Sequence, residues 1–358
     1  MFGKIIVTLF VVLTCCSCKE QQVKIVDVRS NFSTKIQLSS PQNFISDILE
    51  PTQIVICDSL LFISDRHNSS MINVYDLKGN HITETLYKGR GPGESSNILR
   101  IFANNHHLYA SVADGNIYCY HLDDIRNNKR LPDRVLSLPD NLYSFPSISV
   151  ANNQLLFVGR DNDLSNICQT RFCCYNIDKQ ILQEFGEFPL KDKSLYSYPQ
   201  NDYSKYTAYQ GHIHPSPDGN KAVVIYFYAV GLDIININQK EIKTSVFYQY
   251  PEVELVNIGD TAVKAVKRKE KSKRGFLDVW CNNEYIYVLY SDKQFNQEYN
   301  QGCYILKYDW DGNPICEIEL DREALCISID QHNRYLYVVT PTDTGSDIVR
   351  YELNNEML

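Results

Sequence analysis

Residues 88–94 read Lys-Gly-Arg-Gly-Pro-Gly-Glu and place three glycines around Arg90 and Glu94. Glycine-rich loops can wrap a phosphate with backbone N–H groups, but phosphate loops also carry a Lys-Ser or Lys-Thr pair at the start of a helix. Neither feature follows here. The glycines are therefore predicted to let the chain turn sharply. Arg90 and Glu94 are expected to pair with each other, and both are candidate ligand contacts.

A second candidate region is rich in tyrosine, with five tyrosines between positions 196 and 209. We select Tyr203, Tyr206 and Tyr209 as candidate ligand contacts, because tyrosine combines a flat apolar ring with a hydroxyl at low entropic cost. Such rings suit sugar faces or peptide side chains. The alternative is that they pack this segment onto the rest of the fold.

A basic run of seven Lys and Arg residues lies between positions 264 and 274 and includes Lys267 and Arg268. Such a run is usually a solvated, flexible loop, and the sharper interpretation is a site for an anionic partner. Arg160 and Asp161, on another predicted loop, complete the set of candidate ligand contacts.

The sequence gives little sign of catalysis or of a metal centre. It contains neither a Gly-x-Ser-x-Gly motif nor a His-Glu-x-x-His pair, so no catalytic residue, metal ligand or cofactor is assigned. His212 and His214 alternate on a predicted strand at the end of the fold with short turns, and we interpret them as structural. The cysteines beyond residue 18 lack paired Cys-x-x-Cys clusters and are expected to be buried free thiols.

Residues 1–17 are predicted to be a signal peptide, because Lys4 precedes an apolar stretch at 5–13 that is too short to span a bilayer. Small residues then precede Cys18, and the segment resembles a bacterial lipoprotein signal. Cys18 is the predicted lipidation site, with Cys16 as the alternative, and residues 18–33 would form a tether. The other interpretation is an ordinary secretory signal with incidental cysteines.

Composition and charge narrow the class of protein. Among 358 residues the formal net charge is -8, which argues against a nucleic-acid partner because phosphate binding needs a basic face. The chain has 25 Tyr and only 3 Met, and long stretches with helical periodicity are hard to find. This composition favours β structure.

A sixfold repeat predicts the elements that would position these residues. Short apolar strands recur 47, 48, 67, 63 and 50 residues apart, and their central residues are Phe62, Tyr109, Phe157, Val224, Tyr287 and Tyr337. The spacing is typical of propeller blades with insertions. We therefore predict an all-β, six-bladed β-propeller of four-stranded antiparallel blades over residues 34–358. The last blade lacks a fourth strand, and the N-terminal strand Thr34–Leu38 is predicted to supply it and close the ring.

The order of strands in an antiparallel blade predicts where a ligand would bind. The loops between second and third strands and the connections between blades fall at one end of the axis. The long segments 159–167, 186–210, 249–278 and 291–302 all belong to that end, as does the loop 90–94. We call it the loop-bearing end and predict the ligand site there, because binding residues concentrate on loops carried by a rigid scaffold.

The glycine loop, the lipoprotein-type signal and the turn Ser-Pro-Asp-Gly-Asn at 216–220 together resemble the TolB-like six-bladed propeller lipoproteins of Bacteroidetes. The resemblance implies a fold and an outer-membrane location, facing the periplasm or the cell surface, with the lipid anchor as the only membrane contact. It does not imply a particular chemistry.

We expect a non-catalytic propeller that binds a glycan, a peptide or a partner protein through the loop-bearing end. The alternative is a calcium-dependent lactonase, hydrolase or lyase acting in the axial channel. Six-bladed lactonases hold an axial calcium through scattered Glu, Asn and Asp residues, and such ligands cannot be recognised in one sequence.

Overall fold

The computed structural model describes residues 27–104, 106–138, 148–158, 170–188, 208–251, 253–257, 264–268, 272–295, 297 and 300–353. Its N-terminal part contains a 3-10 helix (Val28–Asn31) and the strands β1 (Thr34–Leu38) and β2 (Gln42–Ile48). Six antiparallel sheets follow, and they confirm the predicted six-bladed β-propeller.

The blades run from an innermost first strand to an outer fourth strand. Blades one to three consist of β3 (Pro51–Cys57), β4 (Leu60–Asp65), β5 (Ser70–Asp76) and β6 (His81–Lys88), with the short β7 (Glu94–Ser95) beside β6; β8 (Ile98–Asn104), β9 (His107–Val112), β10 (Asn116–His121) and β11 (Arg134–Ser137); and β12 (Ile148–Ala151), β13 (Gln154–Val158), β14 (Thr170–Asn176) and β15 (Ile181–Glu187). The helix α1 (Leu122–Arg126) lies between β10 and β11.

Blades four to six are built in the same way. They consist of β16 (Gly211–Pro215), β17 (Lys221–Tyr226), β18 (Val230–Asn236) and β19 (Glu241–Gln249); β22 (Phe276–Cys281), β23 (Tyr285–Tyr290), β24 (Gly302–Asp309) and β25 (Pro314–Ala324); and β26 (Cys326–Ile329), β27 (Tyr335–Pro341) and β28 (Ser346–Glu352). A separate two-stranded hairpin, β20 (Val253–Asn257) with β21 (Lys264–Arg268), lies between blades four and five.

The hydrophobic core is divided into six clusters, one between each pair of neighbouring blades. Each blade therefore buries both faces of its sheet. This is why the second strand reads as a continuous apolar run, and in β4 all six residues are buried.

In two blades, the second-strand residue that was aligned from the sequence does not face the following blade. The residue that does lies one position earlier. Phe62, third in β4, packs between blades one and two. The third residues of the second strands in blades three and four are Leu156 and Val223, which also face the following blade. Phe157 and Val224, aligned from sequence, face the preceding blade instead.

A buried ion pair joins blades three and four. Arg171 of β14 lies 2.5 Å from the Asp233 carboxylate of β18, which also accepts hydrogen bonds from the hydroxyls of Tyr226 and Ser245. Burial raises the pKa of Asp233, and Arg171 and the hydroxyls oppose that shift. A carboxylate this deep is tolerated because its oxygens have charged and polar partners.

The ring is closed by an N-terminal strand, but not by the one predicted. It is β2 that pairs antiparallel with β28 and completes blade six. Thr34–Leu38 instead adds in parallel to β25 as a fifth strand of blade five. The closing strand was predicted wrongly because β1 alternates regularly in sequence and β2 does not. Two register shifts and a positive φ of 61° at Asp47 break the alternation of β2.

A second N-terminal contact fastens the chain to blade five. Arg29 donates two hydrogen bonds to the Glu317 carboxylate, at 2.9 and 2.8 Å, and its guanidinium lies 3.5 Å from the centre of the Tyr304 ring. Phe32 is buried and packs edge-on against Tyr308, in the core between blades four and five. Residues 28–33 of the predicted tether are thus docked on the propeller. We call residues 28–38 the N-terminal clasp.

The clasp should contribute measurably to stability through Arg29. Arg29→Met retains an apolar stem but removes the guanidinium. It therefore leaves Glu317, only 1% exposed, without its bidentate partner. We expect the free energy of unfolding, measured by urea denaturation, to fall by about 3 kcal/mol, because removing one partner of a buried pair strands the other.

Lys35→Met is the matched control, since Lys35 is exposed and lies 3.4 Å from the same carboxylate. Its loss should stay below about 1 kcal/mol, as for exposed ion pairs generally. Equal losses in the two variants would contradict a specific role for Arg29.

Candidate functional site

The antiparallel order places the β20–β21 hairpin at the loop-bearing end. The described strands that precede and follow the connections 159–169, 188–210 and 291–301 end and begin at that same end. One long connection belongs to the opposite end, where only tight turns were expected. It comprises residues 122–133 of blade two and begins with α1.

At the loop-bearing end of the axis, the first strand of each blade contributes one residue to a ring. Five of the six positions are described, and each pairs with the fifth residue of its blade's second strand. The five residues, which we call the axial ring, are Gln53, Arg100, His212, Asp278 and Cys326. The first strands of neighbouring blades contact one another around the axis.

The same backbone irregularity precedes three members of the axial ring. The ladder between first and second strands shifts register immediately before Gln53, before Arg100 and before Asp278. A β-bulge inserts one residue and redirects the neighbouring side chains, and bulges of this kind are frequent next to functional sites. Their repetition in blades one, two and five gives the three polar side chains the same placement.

Two ring residues make equivalent contacts with the next blade. The Gln53 side-chain oxygen accepts a hydrogen bond of 2.8 Å from the backbone N–H of Ile101. The Asp278 carboxylate accepts one of 3.0 Å from the N–H of Ile327. Each contact joins consecutive first strands and fixes one oxygen of the side chain.

Arg100 reaches across the axis. Its guanidinium donates a hydrogen bond to Nδ1 of His212 in blade four and lies 3.9 Å from Asp278 in blade five, directly opposite blade two. Arg100 is only 4% exposed. Because arginine can only donate, Nδ1 of His212 is the acceptor and Nε2 carries the proton.

His212 connects this buried arginine to the surface. Its ring packs edge-on against Phe227 at 4.6 Å, and the Arg274 guanidinium lies 5.0 Å from the Phe227 ring centre. Burial and the charges of Arg100 and Arg274 hold the pKa of His212 well below its usual value. The imidazole is therefore neutral at pH 7.

A glycine sets the distance between Arg274 and Phe227. The N–H of Gly275 donates to the carbonyl oxygen of Phe227, and a Cβ at Gly275 would lie 2.1 Å from the carbonyl oxygen of Tyr226. Any larger residue would push the start of β22 away from the turn that carries Phe227.

A thiol–imidazole pair lies further along the axis. Sγ of Cys281 is 3.2 Å from Nδ1 of His214, which is 3.0 Å from the carbonyl oxygen of Pro215. Burial raises the pKa of the Cys281 thiol and lowers that of His214 to about 4. Both groups are neutral near pH 7, so the pair lacks the thiolate that a cysteine nucleophile needs.

The glycine loop lies between blades one and two, away from the axial ring. Arg90 is exposed and forms no ion pair with Glu94, contrary to the prediction; both residues belong to the described part of the chain. The Glu94 carboxylate instead folds back over Gly89 and accepts a 2.7 Å hydrogen bond from the N–H of Gly91. The Glu94 carboxylate is thus bound by the backbone of its own loop and not by Arg90.

A shallow cleft of about 350 Å³ adjoins this loop, and its lining residues are Pro92, Gly93, Asn116, Tyr118, Leu131, Pro132, Val135 and Ser137. Leu131 and Val135 are about half exposed. The cleft opens at the outer rim, where Tyr118 donates to the carbonyl oxygen of Glu94.

The other predicted contacts are not brought together in the described residues. Tyr209 is 3% exposed and packs edge-on against Tyr226, which corresponds to the packing alternative for this tyrosine. Lys267 and Arg268 end strand β21, so part of the basic run is a hairpin strand and not a loop. Arg160, Asp161, Tyr203, Tyr206 and Cys18 lie outside the described residues.

The sequence carried a signal for the axial ring that the repeat alignment did not use. Gln53, Arg100 and Asp278 each lie nine residues before the aligned centre of the following strand. Each interrupts an apolar first strand and precedes Ile or Val. A polar residue recurring at a fixed offset within apolar strands would have identified these three members of the ring.

Within the described ranges, no group of three or more His, Cys, Asp or Glu side chains could hold a metal ion. The axial ring itself contains one acid, Asp278. Nor does the described chain contain a helix with the length and hydrophobicity needed to cross a bilayer.

The histidines at the axis should make stability depend on pH. The pKa of His214 is lowered to about 4 from an ordinary 6.5, so the neutral form contributes stability above pH 6.5 that is lost as pH falls towards 4. Between pH 7 and pH 5 this histidine alone should cost about 2 kcal/mol of unfolding free energy. Urea denaturation at pH 7, 6 and 5 measures the loss.

His214→Gln should show a loss about 2 kcal/mol smaller than the wild type over that range. His332→Gln, at an exposed position, should follow the wild-type curve. Parallel curves for the wild type and His214→Gln would refute the assignment.

Comparison with known proteins agrees with this architecture. A family model described as a TolB-like 6-blade propeller matches residues 30–332. A putative exported protein of Bacteroides fragilis is similar in structure, with a TM-score of 0.54, 12% identity, and coverage of 89% of this chain and 99% of that one. The structure of U3-55K has a TM-score of 0.51 at 11% identity, and the RRP9 WD40 repeats have 0.50 at 9%; each comparison covers 88% of this chain and 100% of the other.

At these identities the structural likeness concerns the fold alone. None of the curated proteins compared with the chain is significantly similar to it in sequence. The family match extends over most of the repeats and over every described member of the axial ring. The chain belongs to the TolB-like six-bladed propeller family.

Proposed function

We propose that this propeller is a non-catalytic binding protein that holds its ligand at the loop-bearing end of the axis, above the axial ring. Arg100 is the observation that carries the proposal. A buried guanidinium is costly to desolvate, and apolar residues would fill the same position at lower cost. An arginine that lies beside two polar side chains, His212 and Asp278, and follows a bulge at the axis is better explained by recognition than by packing.

Binding, and not catalysis, fits the chemistry of the described residues. The Cys281–His214 pair is neutral near pH 7. A calcium-dependent hydrolase or lyase would need several oxygen ligands around the axis. The one acid of the described ring, Asp278, is already engaged by Ile327 and faces Arg100. This composition favours binding of an anion over coordination of a cation.

The ligand class and location that we propose rest on the sequence. The tyrosines between positions 196 and 209 suit a glycan or a peptide, and a partner protein is the third candidate. The N-terminal segment supports anchoring through Cys18 in the outer membrane, facing the periplasm or the cell surface.

Glycan and peptide arrays test the proposal. The wild-type protein should capture a defined subset of array members. The double variant Phe227→Ala/Arg274→Gln removes an aromatic ring and a charge at the loop-bearing end. Capture by this variant should fall at least about tenfold, which corresponds to the loss of one or two good contacts.

Arg126→Gln is the control, because Arg126 belongs to α1 at the opposite end and its change is of the same chemical kind. It should capture the same members at wild-type strength. Capture that survives the double variant, or that fails equally in Arg126→Gln, would place the site elsewhere.

A further inference from the structure

We infer that the axial ring binds the carboxylate group of an acidic ligand, held by Arg100 at the centre of the loop-bearing end. This inference rests on the binding function proposed above and names the chemical group that the ring recognises. Arg100, His212 and Asp278 carry the argument.

The first step is the set of unused donors on Arg100. A guanidinium has five N–H donors, and within the described residues one of them is used, in the hydrogen bond to Nδ1 of His212. Asp278 lies 3.9 Å away, beyond hydrogen-bond distance. The planar fork of arginine matches the two oxygens of a carboxylate, which can accept two parallel hydrogen bonds from it.

The second step is the balance of charge. The charges of Arg100 and Arg274 both disfavour protonation of His212, which is neutral. Asp278 is the acid whose charge favours the protonated form of Arg100. Arg100 is the one cation among the described members of the axial ring, and a single guanidinium is matched to a ligand group with one negative charge. A carboxylate carries one negative charge at pH 7, whereas a phosphate monoester carries nearly two.

The third step is access from the loop-bearing end. Arg274, Phe227 and His212 are all partly exposed, while Arg100 is buried. A ligand entering here would meet the Arg274 charge and the Phe227 ring before reaching Arg100. Nε2 of His212 carries the proton because Nδ1 accepts from Arg100, and with no acceptor for it among the described residues it offers a further donor on the same side.

Two matched probe pairs test the inference by ligand-observed NMR titration at pH 7. The first pair is D-glucuronate and D-glucose, which represents a sugar acid. The second is N-acetylglycine and N-acetylglycinamide, which represents a peptide C-terminus. We expect at least one acid to bind the wild type at least tenfold more tightly than its neutral partner, and the pair that responds identifies the source of the carboxylate.

Substitutions at the ring should change this preference in opposite directions. Arg100→Gln should abolish the preference for the acid. Arg100→Lys keeps the charge without the planar fork and should bind several-fold more weakly than the wild type. Asp278→Asn removes the competing carboxylate but keeps an oxygen for the N–H of Ile327, and it should bind the acid several-fold more tightly.

Arg126→Gln, at the opposite end, should leave every affinity unchanged. If Arg100→Gln does not fold, the opposite effects of Arg100→Lys and Asp278→Asn decide the matter. Equal binding of acid and neutral probes, tighter binding of inorganic phosphate than of either acid, or indifference to both substitutions would overturn the inference.

The array experiment separates this inference from the proposed function. Array capture that depends on Phe227 and Arg274, without any acid preference in the titration, would overturn the inference alone. Array capture that survives the loss of Phe227 and Arg274 would overturn the proposed site of binding, whereas the acid preference of the two probe pairs reports on the axial ring separately.

Discussion

Burial of both faces of every blade is the constraint on which the rest of this structure depends. Six apolar clusters lie between neighbouring blades, so each sheet is stable only when its neighbours are in place. Apart from buried groups such as the Arg171–Asp233 pair, polar side chains lie mainly at strand ends, at the outer rim and at the axis. The axial ring is therefore one of the few places where this fold can concentrate recognition chemistry.

The parts predicted from sequence are those that follow from this burial. Continuous apolar second strands and tight turns gave six blades and their order. The turn Asp309-Trp310-Asp311-Gly312-Asn313 shows why turns are readable, because Asp309 accepts from the N–H groups of Asp311 and Asn313 while Gly312 takes a φ of 86°. A continuous apolar run does not show which face of the strand each residue occupies, so Phe157 and Val224 were aligned one residue late.

The closing strand and the site depend on features that a single strand does not display. Strand β2 is irregular, and only its pairing with β28 distinguishes it from β1. Arg100 and His212 are 112 residues apart and meet because blades two and four face a common axis. The bulges that aim Arg100 and Asp278 are visible only once first and second strands are paired. The long loops were therefore predicted to hold the site, whereas the first strands hold these groups.

Closure by β2 also determines when the molecule can finish folding. Gln42 and Arg350, which hydrogen-bond across β2 and β28, are separated by 308 positions. The last sheet cannot assemble until nearly the whole chain has left the ribosome, and contacts of such sequence separation form slowly. Until then the first-made segments keep an unpaired edge that invites association with other chains. The topology of this ring thus leaves the nascent polypeptide open to such association until β28 has paired with β2.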